Sequence, residues 1–99
     1  MTKSETAAKM NEAGAFLPGK RIKIDFGPEG TILLDGQAQQ VTEEDGAADT
    51  TIKIAWSDWE DMAAGKLDGM TAFMQGKLKV EGDMSNAMQL QGVLAKLRG

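Results

Sequence analysis

The chain has 99 residues, with 11 Lys and Arg against 15 Asp and Glu, no His, no Cys and a formal net charge of -4. That length supplies one domain with one modest core, burying roughly 60 to 70% of the surface its unfolded form exposes. Without imidazole or thiol there is no Ser-His-Asp or Cys-His nucleophilic site, no zinc site of the usual kind, no thiol redox chemistry and no disulfide.

The acidic balance offers no clustered Lys and Arg for a sequence-blind grip on nucleic acid or on an anionic membrane. Apolar residues make up 41% and charged residues 26%, the composition of an ordinary globular domain. No apolar run approaches the ~18 residues of a membrane span, which predicts no stable membrane insertion. Residues Met1 to Thr6 contain no apolar leader segment, and the lack of cysteine is compatible with a reducing cytosol. The unusual feature is sulfur: seven Met stand against three Phe and two Trp, and Met62, Met70, Met74, Met84 and Met88 fall in the second half.

In chain order, Thr2 and Glu5 fit a capping box, so a helix is predicted from Lys3 to about Ala13, with a thin apolar face of Ala7, Ala8 and Met10. Gly14 stops it, and residues 16–19 turn the chain toward a sheet. From Arg21 the period becomes two, with Ile22, Ile24 and Phe26 alternating against Arg21, Lys23 and Asp25 in a half-buried strand. Gly27-Pro28-Glu29-Gly30 reverses it into Thr31–Leu34, and Asp35-Gly36 reverses it again into a weaker strand ending at Thr42. Residues 43–49 read as a solvated acidic loop whose spacing does not match a calcium-binding loop.

Thr50 to Trp56 resumes alternation, with Ile52, Ile54 and Trp56 directed inward. Ser57 and Glu60 suggest a second capping box and a short helix to about Ala64. Asp68 can cap another short helix carrying Met70, Phe73 and Met74. Lys77–Glu81 is the last strand, followed by a helix from Met84 to about Leu97 with Met84, Ala87, Met88, Leu90, Val93, Leu94 and Leu97 on its apolar face. The pattern predicts a single α+β domain over residues 1–99: a roughly five-stranded, mainly antiparallel sheet with helices covering one face.

Asp58, Glu60 and Asp61 suit the positive end of a helix and need no catalytic role, and no phosphate-binding glycine pattern occurs. No catalytic residue, metal ligand or cofactor is assigned. The apolar sheet face and the Met-bearing helices read either as plain core or as a surface that re-packs around varied apolar partners, a use to which flexible thioethers are suited.

The run from Ala72 to Leu90, AFMQGKLKVEGDMSNAMQL, closely resembles the signature of the sterol carrier protein two family of nonspecific lipid-transfer domains. Its elements are a Phe-x-x-Gly-Lys-Leu-Lys strand, a Gly-Asp step and a helix with an Ala-Met-x-Leu-like step. Upstream pieces agree in order: Gly27-Pro28-Glu29-Gly30, Asp35-Gly36, the acidic loop, Ser57-Asp58 and Gly65-Lys66-Leu67. The likeness runs from about Lys20 to Leu97.

The resemblance implies an apolar tunnel taking fatty acid, fatty acyl-CoA, phospholipid or sterol-like ligands without covalent chemistry. Cavity-lining candidates are Ile22, Ile24, Phe26, Ile32, Leu34, Ile54, Trp56, Met62, Met70, Phe73, Met74, Leu78, Val80, Met84, Met88 and Leu94, with Gln75 as a polar contact at the mouth. Lys77 and Lys79 face solvent in this reading, within reach of an acidic headgroup. Residues 1–19 form a shorter N-terminal helical segment than the family usually carries, which predicts an incompletely closed cavity. The expected setting is a cytoplasmic, bacterial, free-standing domain. Other readings are a protein-interaction or regulatory module, including a homodimer, using the same face, and an accessory domain to a lipid-metabolising enzyme.

Overall fold

A computed structural model describes residues 2–98, the side chains of 91 and 93–98 excepted. Helix α1 spans Lys3–Glu12, and its capping box forms: the Glu5 amide donates to Thr2 Oγ1 and the Thr2 amide to Glu5 Oε1, both at 3.1 Å. Strand β1 is Arg21–Asp25, a short 3-10 turn follows at Gly27–Glu29, and β2 is Thr31–Asp35. β3 is Gln40–Thr42 and β4 is Thr50–Ile54. Helices α2 (Trp56–Ala63) and α3 (Gly69–Met74), strand β5 (Leu78–Gly82) and helix α4 (Met84–Arg98) complete the chain.

The five strands lie in the order β3-β2-β1-β4-β5, with three antiparallel pairs and a parallel pair, β1 with β4. Because β1, β2 and β3 form a meander at one side, the chain must cross the sheet from β3 to reach β4. Residues 43–49 make that crossing over the polar face. Lys23 Nζ donates to Asp45 at 2.8 Å, Thr31 Oγ1 to the Glu44 carbonyl at 3.3 Å and the Arg21 amide to Asp49 Oδ2 at 2.9 Å. Gly46 passes over Leu33, the one apolar residue that β2 turns to this side, and Leu33 is buried beneath it. The acidic segment expected to be a solvated loop is therefore the crossover, drawn onto the sheet by the Arg21 and Lys23 alternation that faces it.

Register places Val41, Leu34, Ile32, Ile22, Ile24, Ile52, Ile54, Leu78 and Val80 on the opposite, apolar face. α1 lies beside β3, where the Val41 amide donates to Asn11 Oδ1 at 2.9 Å, and it feeds Ala7 and Met10 into the core. Ala15 and Leu17 seal the same half, and their connection passes so close to Gly36 that a Cβ there would fall on the Leu17 carbonyl.

The start of α2 differs from the sequence expectation. Its N-cap is Ala55, with no side-chain cap, and Ser57 lies inside the helix. Trp56 leaves the strand because its ring packs edge-on against Phe26, centroids 5.0 Å apart, and Trp59 meets the same ring at 5.6 Å. Two edge-to-face contacts on one buried aromatic outweigh a cap on an exposed Ser. The Asp68 cap does form, its carboxylate accepting from the amides of Met70 and Thr71.

Candidate apolar cavity and family

Helices α2, α3 and α4 cover the β4-β5 half of the apolar face without filling it. A cavity of about 140 Å3 remains. Its floor is Ile52 and Ile54 of β4 with Leu78 and Val80 of β5. Its walls are Trp59 and Met62 of α2, Met70 and Phe73 of α3, and Met84, Ala87, Met88 and Leu90 of α4. The described lining residues are all hydrophobic, so the space offers an entering molecule shape and dispersion, with the Trp59 indole N–H the one side-chain hydrogen-bond donor among them. Ile52, Ile54 and Leu78 of the floor are buried and Val80 is half-buried, whereas the rim is open: Met88 is 62% exposed, Met70 52%, Met84 45% and Phe73 38%.

The site is held by local chemistry that anchors α4. Gly82 ends β5 at a φ of +96°, a conformation disfavoured for side-chain-bearing residues, and a Cβ there would strike the Asp49 carbonyl. Asp83 Oδ1 then accepts from the Ser85 amide at 2.9 Å and hydroxyl at 2.7 Å, which holds its carboxyl below the usual range. Asn86, buried on α4, donates to Thr50 Oγ1 at 3.1 Å, and Thr50 donates in turn to the Asp83 carbonyl at 2.9 Å. This chain of bonds fixes the helix to the start of β4, so Ala87 and Leu90 reach inward and Met84 and Met88 stand at the rim. Among the described residues no buried side-chain polar atom lacks a partner.

Of the residues proposed from sequence, Ile54, Met62, Met70, Phe73, Leu78, Val80, Met84 and Met88 come together around the cavity. Ile22, Ile24, Ile32 and Leu34 share the sheet face but are packed in the core apart from the lining, and Phe26 is buried against the Trp56 and Trp59 rings. Trp56 packs on Phe26, and Met74 lies outside the lining at 81% exposure. Gln75 is the exposed C-cap of α3, its amide donating to the Thr71 and Phe73 carbonyls. The Leu94 side chain lies outside the described residues. Ile52, Trp59, Ala87 and Leu90 also line the cavity; the i, i+3 spacing of Trp59 with Met62, and of Ala87 with Leu90, is the signal that groups them.

The family profile described as the SCP-2 sterol transfer family matches residues 2–95. The chain belongs to this family. Among curated relatives, the sterol carrier protein 2 of Bos taurus is 41% identical over 78 residues, 73% of this chain and 14% of that protein. A non-specific lipid-transfer protein-like 1 of Caenorhabditis elegans is 35% identical over 89 residues, 90% of this chain and 70% of that one. The chain thus spans about 14% of the length of the sterol carrier protein 2 relatives it matches. In fold it is similar to a sterol carrier protein 2 of Aedes aegypti solved with palmitate, with a TM-score of 0.75 and 20% identity over 92% of each chain. Among the described residues no helix is long and apolar enough to cross a membrane, and no group of three acidic side chains is placed to hold a metal ion.

Proposed function

We propose that this SCP-2 family chain binds and transfers a single long acyl chain, as a fatty acid or within a larger lipid, in the cavity between β4-β5 and helices α2 to α4. The observation that carries the reading is a cavity whose described lining is hydrophobic throughout and whose rim is four exposed, flexible or flat apolar side chains. An acyl chain entering it gains ~0.8 kcal/mol for each methylene removed from water.

A space of about 140 Å3 matches the ~150 Å3 of an engineered apolar cavity that takes benzene, so it admits only the end of a long chain as it stands. Rotation of Met70, Met84 and Met88 about their unbranched side chains supplies the rest, which is a use to which thioethers are suited. Absence of titratable groups from the described lining residues, and of His and Cys from the chain, supports a carrier without catalysis. The single continuous sheet supports one domain over residues 1–99. The palmitate held by the Aedes aegypti relative supports the choice of ligand class.

The test is displacement of a fluorescent fatty acid from delipidated protein, read together with melting. Saturable one-to-one displacement is expected, and palmitate at 100 times its dissociation constant should stabilise the fold by ~2.7 kcal/mol. Neither displacement nor stabilisation, with a lipid-free stable dimer in native mass spectrometry, would overturn the reading in favour of a protein-interaction module.

A further inference from the structure

We propose that the thioethers at the cavity rim are a peroxide-sensitive modification site that sets how tightly the cavity holds an apolar chain; this rests on the lipid-binding function above. The chain has no cysteine, so methionine is its only oxidisable sulfur. That sulfur is unevenly placed. Met70, Met84 and Met88 are exposed and line the cavity, Met74 is more exposed but lies outside the lining, and Met10 is sealed at 0% exposure.

The chemistry is oxygen transfer. A thioether lone pair attacks one oxygen of hydrogen peroxide, an S–O bond forms, the O–O bond breaks, and the departing hydroxide takes the proton of the transferred oxygen and leaves as water. Sulfur is oxidised to the sulfoxide and the peroxide is reduced, so the step needs no further reagent. The product is polar and chiral where the wall was apolar.

In this cavity the change is masked at one thioether at most when a chain is bound. Among the described lining side chains only the Trp59 indole N–H can donate, so at most one rim sulfoxide finds a partner there, and any other pressed against hydrocarbon must either lose its water or swing out and leave the chain uncovered. Each rim sulfoxide weakens the hold on an acyl chain by about fivefold, the lower end of the cost of a polar group without a partner, since the rim stays partly wet. Met74 and Met10 serve as internal references. Oxidation at Met74 leaves affinity unchanged, and Met10 resists conversion.

The experiment treats the delipidated whole chain with graded hydrogen peroxide, maps each methionine by peptide mass spectrometry and measures fluorescent fatty acid affinity on the same samples. Conversion is expected at Met74 first, then Met88, Met70 and Met84, then the half-buried Met62 of the cavity wall, with Met10 last. Affinity should hold while only Met74 is converted and fall at least about tenfold once two rim thioethers are. Palmitate added before the peroxide should slow conversion at Met70, Met84 and Met88 and leave Met74 unaffected.

A triple variant, Met70→Leu, Met84→Leu and Met88→Leu, preserves side-chain volume and cannot be oxidised at the rim, so peroxide at doses that leave the half-buried Met62 unconverted should leave its affinity within about twofold. Restoration of the oxidised wild type by methionine sulfoxide reductase is expected too, and reads the same point without any substitution. Full rim conversion with unchanged affinity, or an equal loss in the triple variant, overturns the proposal. Reduced protein that takes up no acyl chain overturns the lipid-binding function itself, and the switch with it.

Discussion

Ala87→Leu puts the cavity to a direct test, because Ala87 lines it from a helix position where leucine is also well tolerated. A sealed void costs ~24 cal/mol per Å3, so about 140 Å3 would cost about 3 kcal/mol. The open rim lowers that cost, and leucine adds three carbons at ~0.8 kcal/mol each when fully buried. The expected net is a gain of about 1 to 2 kcal/mol in stability of the ligand-free protein, which raises its melting temperature by roughly 4 to 8 °C per kcal/mol. The same carbons occupy space an acyl chain would take, so fatty acid affinity should fall by about 2 kcal/mol, near thirtyfold. Melting curves of delipidated protein and fluorescent fatty acid competition read the two effects separately. A variant that melts lower and binds as before would refute the reasoning, since it would mean that the space beside Ala87 is neither empty nor where the chain lies.

Asn86→Ala should destabilise the fold by about 1 to 3 kcal/mol in urea denaturation, because it breaks the buried bond to Thr50 that ties α4 to β4. Acid unfolding should depend on Asp35, whose carboxylate is held below its ordinary pKa by the Arg21 guanidinium at 3.0 Å and by the Ala38 and Gln37 amides. Above the ordinary carboxylate value both folded and unfolded states are ionised and the stabilisation is complete; it is lost as pH falls toward the depressed folded value, where the unfolded chain takes up the proton first. Asp35→Asn should therefore be less stable at neutral pH and show a flatter acid limb, and an unchanged limb would contradict the assignment. A Trp56→Phe protein, keeping only the cavity-lining Trp59, should change its emission on fatty acid binding, whereas Trp59→Phe should not.

Local elements were legible wherever alternation and chain breakers agreed, as at β1 with its Gly27–Gly30 reversal and at the capped starts of α1 and α3. The parallel β1–β4 pair was not, because pairing between distant strands leaves no local periodicity. Its trace was electrostatic: an acidic segment and the Arg21–Lys23 face have opposite charge, and their attraction routes the crossover. At the cavity, a period of two identifies the apolar face but not which helix covers which half of it. That is why it groups Ile22, Ile24, Ile32 and Leu34 with Ile54 and Leu78, although the first four lie in the core apart from the cavity. The family signature at Ala72–Leu90 indicated the second half directly, since it spans the end of α3, β5 and the first half of α4.

The seam between β1 and β4, together with the contacts of Phe26 with the two Trp rings, joins two halves that differ in exposure. The half of β1 to β3 carries the fully buried Ile22, Ile24, Ile32 and Leu34 with Met10 of α1; the half of β4 and β5 under three helices encloses space bounded by exposed thioethers. In the proposed carrier, side-chain rotation on the cavity side can admit an acyl chain while the buried side keeps the backbone in register. Amino-acid changes at the exposed rim would then alter ligand preference at less cost to folding than changes among the buried residues beside α1.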